Sequence, residues 1–203
     1  MIRCKWCNIK NDNYINYHDN EWGVYNLDDS YLFEMLILEM FQAGLNWECI
    51  LNKRENFRKA YCNFDIDKIV CFDEEKINEL MNDRGIIRNE RKIRASIANA
   101  KIFKNIQEEF GTFGNYLLLF TDNFIVYETE KTTNSISDSI SFDLKLRGMK
   151  FVGSTIIYSY LQAVGIIYSH ERDCFLYKGE WFNLFYIFKG FYHIYFFIFF
   201  YIK

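Results

Sequence analysis

The amino-acid sequence predicts an all-α fold in one domain, and three observations carry the prediction. Apolar residues recur at three- and four-residue spacing through most of the chain. Asp, Asn, Ser and Thr precede these stretches, where helix N-caps belong. No segment alternates apolar and polar residues long enough to argue for a sheet. The first helix runs from Ser30 to Ala43, where Leu32, Phe33, Met35, Leu36, Leu38 and Phe41 crowd behind Asp28-Asp29-Ser30 and ahead of Gly44. Asn46 caps a second helix to about Tyr61, with Glu48 near its positive end. Asp73 begins a short one from Glu74 to Met81, ended by Gly85. A long amphipathic helix follows from about Arg88 to Glu109, its inner stripe Ile93, Ile97, Ala100 and Ile102 or Phe103. Thr112 caps Phe113–Phe120; residues 121–136 are polar and read as a loop with room for a short strand. Asp138 or Ser139 opens a helix to Arg147, and Gly153 opens the last, through Ala163 to a stop at Gly165.

The chain has 203 residues, half of them apolar and a quarter charged, which excludes a disordered, collagen-like or disulfide-miniprotein reading. It carries 21 Phe and 15 Tyr and no Pro, so its turns rest on Gly, Asn, Asp and Ser. We read both extremes as skewed residue usage. The division is a domain over 1–178 and an aromatic-rich extension over 179–203. Within the extension, Trp181–Ile202 is interrupted by Asn183, Lys189, Gly190 and His193, so it falls short of a membrane span and no membrane partner is expected. The N-terminus lacks the apolar run of a secretory signal, which points to the reducing cytoplasm. There the six cysteines read as metal ligands or small buried groups before disulfides; Cys49, Cys62 and Cys71 fit inert core.

Three constellations bear chemistry. His170 and Cys174, four apart, share one face of a helical turn, while Cys4, Cys7 and His18 cluster near the other end of the chain. These are five candidates for the four positions of a structural zinc that would staple the two ends together. Second, Leu144 to Thr155 outlines a helix, a hairpin and a helix, with Gly148 and Gly153 five apart and Ser154 opening the new helix. Glycines let backbone approach a phosphate, and Lys145, Arg147 and Lys150 add charge. The net charge is −3, which disfavours whole-molecule attraction to nucleic acid. Yet Arg84, Arg88, Arg91, Lys92, Arg94, Lys101 and Lys104 stand against Glu90 alone, so basic charge is segregated as a backbone-binding face requires. Third, Tyr14 to Gly23 and Glu39 to Trp47 combine a carboxylate near a helix end with Tyr and Trp, a box able to stack a flat ring and bond its edge.

The segments RCKW, YHDNEWG, LFEMLILE, FQAGLNW, GIIRN, LKLRGMKFVGSTIIYSYLQAVGII and HERDC resemble the constitutive type I 3-methyladenine DNA glycosylases of bacteria, from about Arg3 to Cys174. The resemblance implies a base-excision repair enzyme of the helix-hairpin-helix superfamily, a cytoplasmic monomer acting on damaged double-stranded DNA. Its zinc ligands fall on Cys4, His18, His170 and Cys174, and its base pocket on Tyr14, Tyr17, Glu39 and Trp47, with Glu39 in the catalytic role. The hairpin residues Lys145, Arg147, Gly148, Lys150, Gly153 and Ser154 become its DNA contacts. Met40 stands where the family carries a small residue, Met149 replaces a hairpin aromatic, Cys7 is an extra thiol, and the aromatic tail has no counterpart.

The chemistry implied is modest. Methylation at N3 makes adenine cationic and its glycosidic bond weak, so recognition replaces strong acid catalysis, and water attacks the sugar as an oxocarbenium-like state develops. Superfamily relatives that excise neutral bases carry an Asp some distance after the hairpin, and bifunctional lyases a Lys just after its second Gly. Here Ser154 and Thr155 follow Gly153 and the next Asp is Asp173, which implies a monofunctional enzyme restricted to activated bases such as 3-methyladenine. The alternative is a non-catalytic zinc-stapled DNA-binding module, which would need the hairpin but not the Glu39 box.

Overall fold

The computed structural model describes residues 1–178, so the extension over 179–203 and the membrane question attached to it lie outside the described residues. Helices dominate: α1 (Asp12–Asn20), α2 (Asp29–Gln42), α3 (Trp47–Leu51), α4 (Arg54–Ala60), α5 (Ile66–Ile69), α6 (Glu74–Asn82), α7 (Glu90–Phe110), α8 (Phe113–Leu118), α9 (Ser135–Leu146) and α10 (Ser154–Ala163). A 3-10 turn, Cys62–Phe64, precedes α5.

Helix α2 is the spine of the core. Asp28 caps it by accepting from the Tyr31 N–H at 3.1 Å, and every residue from Leu32 to Phe41 is buried. A helix apolar nearly all round must be wrapped by others, and α3, α7, α8 and α10 pack against it. Helix α7 presents Ile93, Ile97, Ala100 and Phe103 to the core, while Ile102 is only partly buried. The turn into the last segment depends on Gly165, whose φ is +75° and where an added Cβ would fall 2.4 Å from the Tyr25 nitrogen, so no larger residue fits.

Several elements differ from the sequence expectation. The helix expected from Asn46 to Tyr61 is two, broken at Asn52, whose carboxamide oxygen accepts from Asn11 at 3.0 Å. Helix α6 ends at Asn82 because Asp83 is extended, and Gly85 lies beyond it in the loop. Helix α9 starts a turn earlier than Asp138: Asn134 accepts from the Ser137 N–H while the Ser137 hydroxyl accepts from the Asn134 N–H, a capping box written in Asn and Ser. Helix α1 was not expected at all. Two short strands, β1 (Val126–Tyr127) and β2 (Ile167–Tyr168), pair in parallel; two residues are too few to show an alternation. Cys49 and Cys62 are half-buried and Cys71 is exposed, so the inert-core reading of these three fails; they sit at helix ends and turns rather than on the inner faces.

Candidate functional site: a Cys/His cluster beside a buried carboxyl

Four side chains from opposite ends of the chain converge. Cys4, His18, His170 and Cys174 are all buried, and their ligand atoms lie within 4.8 Å of one another. The Cys4 Sγ is 3.5 Å from His170 Nδ1, and the Cys174 Sγ is 3.5 Å from His18 Nε2 and 3.6 Å from His170 Nδ1. Metal–sulfur and metal–nitrogen bonds of about 2.3 and 2.0 Å at tetrahedral angles give sulfur–nitrogen edges of about 3.5 Å, so the residues fit a four-coordinate metal ion. The surroundings agree. The His18 Nδ1 meets Asp19 at 2.7 Å, and Asp19 is held by Arg3, the outer support expected of a ligating imidazole. The Glu171 N–H points at the Cys4 sulfur from 3.3 Å and the Leu176 N–H at the Cys174 sulfur from 3.5 Å. Burial pushes the Cys4 thiol up to about 12 and His170 down to about 4, so His170 is neutral, as a ligand must be, and a thiolate at Cys4 calls for a cation beside it. Cys7 is outside the group; its thiol faces the Tyr14 carbonyl at 3.8 Å.

The cluster lies behind one wall of a cavity of about 400 Å³. Trp6 lies 5.1 Å, ring to ring, from His18 and Trp22 lies 4.7 Å from His170, and both tryptophans line the cavity. Tyr14, Tyr17, Glu39 and Trp47 line it too, so all four residues singled out from the sequence share one space. Local caps put them there. Asn11 caps α1 and so turns Tyr14, Tyr17 and His18 inward together. Asn46 caps α3 by accepting from the Cys49 N–H at 2.8 Å, which sets Trp47 in the first turn, its ring 5.3 Å from that of Tyr17. Glu48 accepts from Asn8 and Asn11 at 2.8 Å each and ties the two helix starts to one another.

Glu39 is 4 % exposed, and neither its Oε2 nor the Trp47 Nε1 has a hydrogen-bond partner among the described residues. Desolvation raises the carboxyl from an ordinary value near 4.5 to about 8, so it holds its proton at neutral pH and can donate as well as accept. Burial likewise raises Tyr14 to about 12 and Tyr17 further, so both stay neutral. Met40 does not shape this space: it is fully buried and meets the Asn99 amide, 3.5 Å away. Sequence reasoning missed Trp6, Ser159 and Gln162 on the cavity wall, and gave Gln42 and Asn46, which lie within the Glu39–Trp47 stretch, no role of their own there. The available signal was polar residues on apolar helices, for Ser159 and Gln162 in α10.

The hairpin between α9 and α10 turns at Gly148, with φ of +100°, and at Phe151, with φ of +57°. Met149 and Val152 are buried, leaving Lys145 and Lys150 exposed. Arg147 is engaged otherwise: it bonds Asp143 at 2.7 Å and Glu109 at 2.5 Å. Ser154 accepts no open role either, its hydroxyl bonding Asp138 and Ser137. Of the basic stretch, Lys92 is buried, while Arg94 pairs at the surface with Glu74 and Glu90 and Lys104 with Asp67, so much of the apparent excess is answered by acids of the chain itself.

Comparison with known proteins decides between an enzyme family and a bare binding module. A family model for methyladenine glycosylase matches residues 6–177. The chain is 42% identical over 187 residues to DNA-3-methyladenine glycosylase 1 of Escherichia coli (strain K12), covering 89% of this chain and 99% of that one. The chain belongs to the methyladenine glycosylase family. The family fold agrees: a crystal structure of 3-methyladenine DNA glycosylase I superposes with a TM-score of 0.83 at 39% identity, covering 87% of this chain and all of that one. A variant of 3-methyladenine DNA glycosylase I in complex with 3-methyladenine superposes at 0.81, with 29% identity over 86% of this chain and 96% of that one. Among the described residues no helix is long and apolar enough to cross a membrane.

Proposed function

We propose that the protein is a DNA-3-methyladenine glycosylase of base-excision repair, which hydrolyses the N-glycosidic bond of 3-methyladenine in alkylated DNA without lyase activity. The observation that carries this reading is the Glu39 carboxyl, buried with its Oε2 unpartnered among the described residues, in a cavity walled by aromatic rings. A buried polar group without a partner is unfavourable unless something else requires it. A purine extruded from the stack supplies what is missing: its ring stacks with Trp47 and the tyrosines, and its edge bonds Glu39 and the Trp47 N–H. Because the methylated base leaves as a neutral molecule, the residues need only orient it and exclude competing bases while water attacks the sugar.

In this reading Cys4, His18, His170 and Cys174 hold a structural zinc. The bound ion supplies folding energy and a fixed wall behind Trp6 and Trp22, with no open position for chemistry. The helix-hairpin-helix segment from Gly148 to Gly153 approaches the backbone of duplex DNA, with the exposed Lys145 and Lys150 side chains supplying charge. The family supports a cytoplasmic enzyme, and we read it as a monomer. The test is incubation of the purified protein with alkylated DNA and identification of the bases released. Release of 3-methyladenine is expected; binding to DNA with no free base would favour the module without catalysis.

A further inference from the structure

Lys92 stood among the basic residues expected to face DNA, yet it is 6 % exposed. Its ammonium donates to the Phe41 carbonyl at 2.8 Å and the Ala43 carbonyl at 2.6 Å, at the C-terminal end of the helix that carries Glu39. The same nitrogen lies 6.0 Å from the centre of the Phe151 ring in the hairpin. Two turns further along α7, about 10 Å by helical rise, Asn99 is fully buried. Its amide donates to the Lys150 carbonyl and its oxygen accepts from the Lys150 N–H, both at 2.9 Å, while the amide also meets the sulfur of Met40. Each residue therefore touches both α2 and the hairpin, and neither lines the cavity.

We propose that Lys92 and Asn99 are positioning residues that fix the distance and orientation between the base cavity and the DNA-gripping hairpin. The proposal rests on the excision reading above. Burying an ammonium carries a desolvation penalty that an apolar side chain of the same length would avoid, and burial pulls this one below its ordinary value. What Lys92 adds over such a side chain is direction: two hydrogen bonds to the free carbonyls at a helix end, which would otherwise lack partners. The double bond from Asn99 to the Lys150 backbone likewise sets where the hairpin's main chain stands. Excision needs both parts on one nucleotide, and a misplacement of about 1 Å lowers rate about a hundredfold.

The experiment compares the zinc-loaded full chain with Lys92→Met, which keeps the apolar stem, and Asn99→Asp, which keeps the acceptor for the Lys150 N–H and loses the donor. Three quantities are read well below each melting temperature: single-turnover release of 3-methyladenine from duplex DNA, affinity for free 3-methyladenine, and affinity for undamaged duplex. We expect release by Lys92→Met to fall by about 10- to 100-fold and by Asn99→Asp less, with both affinities within about twofold of the parent. Parental release in both variants overturns the proposal. So does a fall in release matched by an equal fall in free-base affinity, which would make the residues mere supports of the cavity. Should Lys92→Met fail to fold, Asn99→Asp decides by the same three readings. A parent chain that releases no base fails the excision reading and takes this proposal with it.

Discussion

Replacing Glu39 by Gln should make the protein more stable and less active, and the size of the gain follows from the burial of the carboxyl. In the unfolded chain the group ionises near 4.5, in the folded chain near 8. The folded state binds this proton more tightly, so the parent's stability is fullest below the lower value and declines as pH rises through the window to the higher one, levelling off above it. Gln keeps the shape and a neutral polar head, and so escapes the decline. Each tenfold ratio is worth about 1.4 kcal/mol, which gives the variant an advantage of about 2 kcal/mol at pH 6, about 3 at pH 7 and about 5 at pH 9. Urea unfolding of both zinc-loaded proteins at these three pH values measures it, with equal m-values as the control. Excision of 3-methyladenine, assayed alongside, should drop for Gln and drop further for Ala, while affinity for undamaged DNA holds. An advantage that is absent, or constant from pH 6 to 9, would refute the burial argument; unchanged excision by Glu39→Ala would show the residue to be structural.

Other outcomes follow from the same geometry. Single substitutions Cys4→Ala, His18→Ala, His170→Ala and Cys174→Ala should each release zinc and lower the melting temperature, whereas Cys7→Ala keeps the metal, as metal analysis of the purified variants will show. Trp47→Ala should reduce excision by about 1 to 3 kcal/mol in transition-state terms, the range of base–aromatic stacking, with zinc content intact; kcat/KM on alkylated duplex reads this. DNA affinity should weaken with salt, and Lys150→Ala should reduce the slope of log affinity against log salt by about 1. Arg147→Ala should leave that slope unchanged and lower thermal stability instead, because its guanidinium is held by Glu109 and Asp143.

The helices were legible where a cap and an apolar stripe coincided. Asp28 with the run to Phe41, and Thr112 with Phe113, announced themselves through residues that act within one turn of chain. Helix α1 was hidden because its inward residues are two tyrosines and a histidine, whose burial is decided by the metal cluster and the cavity rather than by local periodicity. The break at Asn52 was equally invisible: it answers to Asn11, a partner 41 residues away. The capping box at Asn134 and Ser137 escaped notice because its residues differ from the Ser/Thr and Glu/Gln pattern that the eye seeks.

Charge was the least legible property. A count of Lys and Arg along α7 suggests a surface, but a helix of about six turns shows its charges to several neighbours at once, and only geometry divides them. Lys92 turns inward to backbone carbonyls, Arg94 and Lys104 close on acids from α6 and from the α5 region, and Arg147 is caught between two carboxylates. The carboxyl is the opposite case. Glu39 stands in a sequence of Leu, Ile, Met and Phe with no basic residue within a turn on its own helix to neutralise it. Glu34 in the same run is also buried, but Arg54 and Arg58 reach it from α4, whereas no described residue answers the Glu39 Oε2; a buried polar group is unfavourable without a partner, so it is this difference, visible only in the structure, that singles Glu39 out.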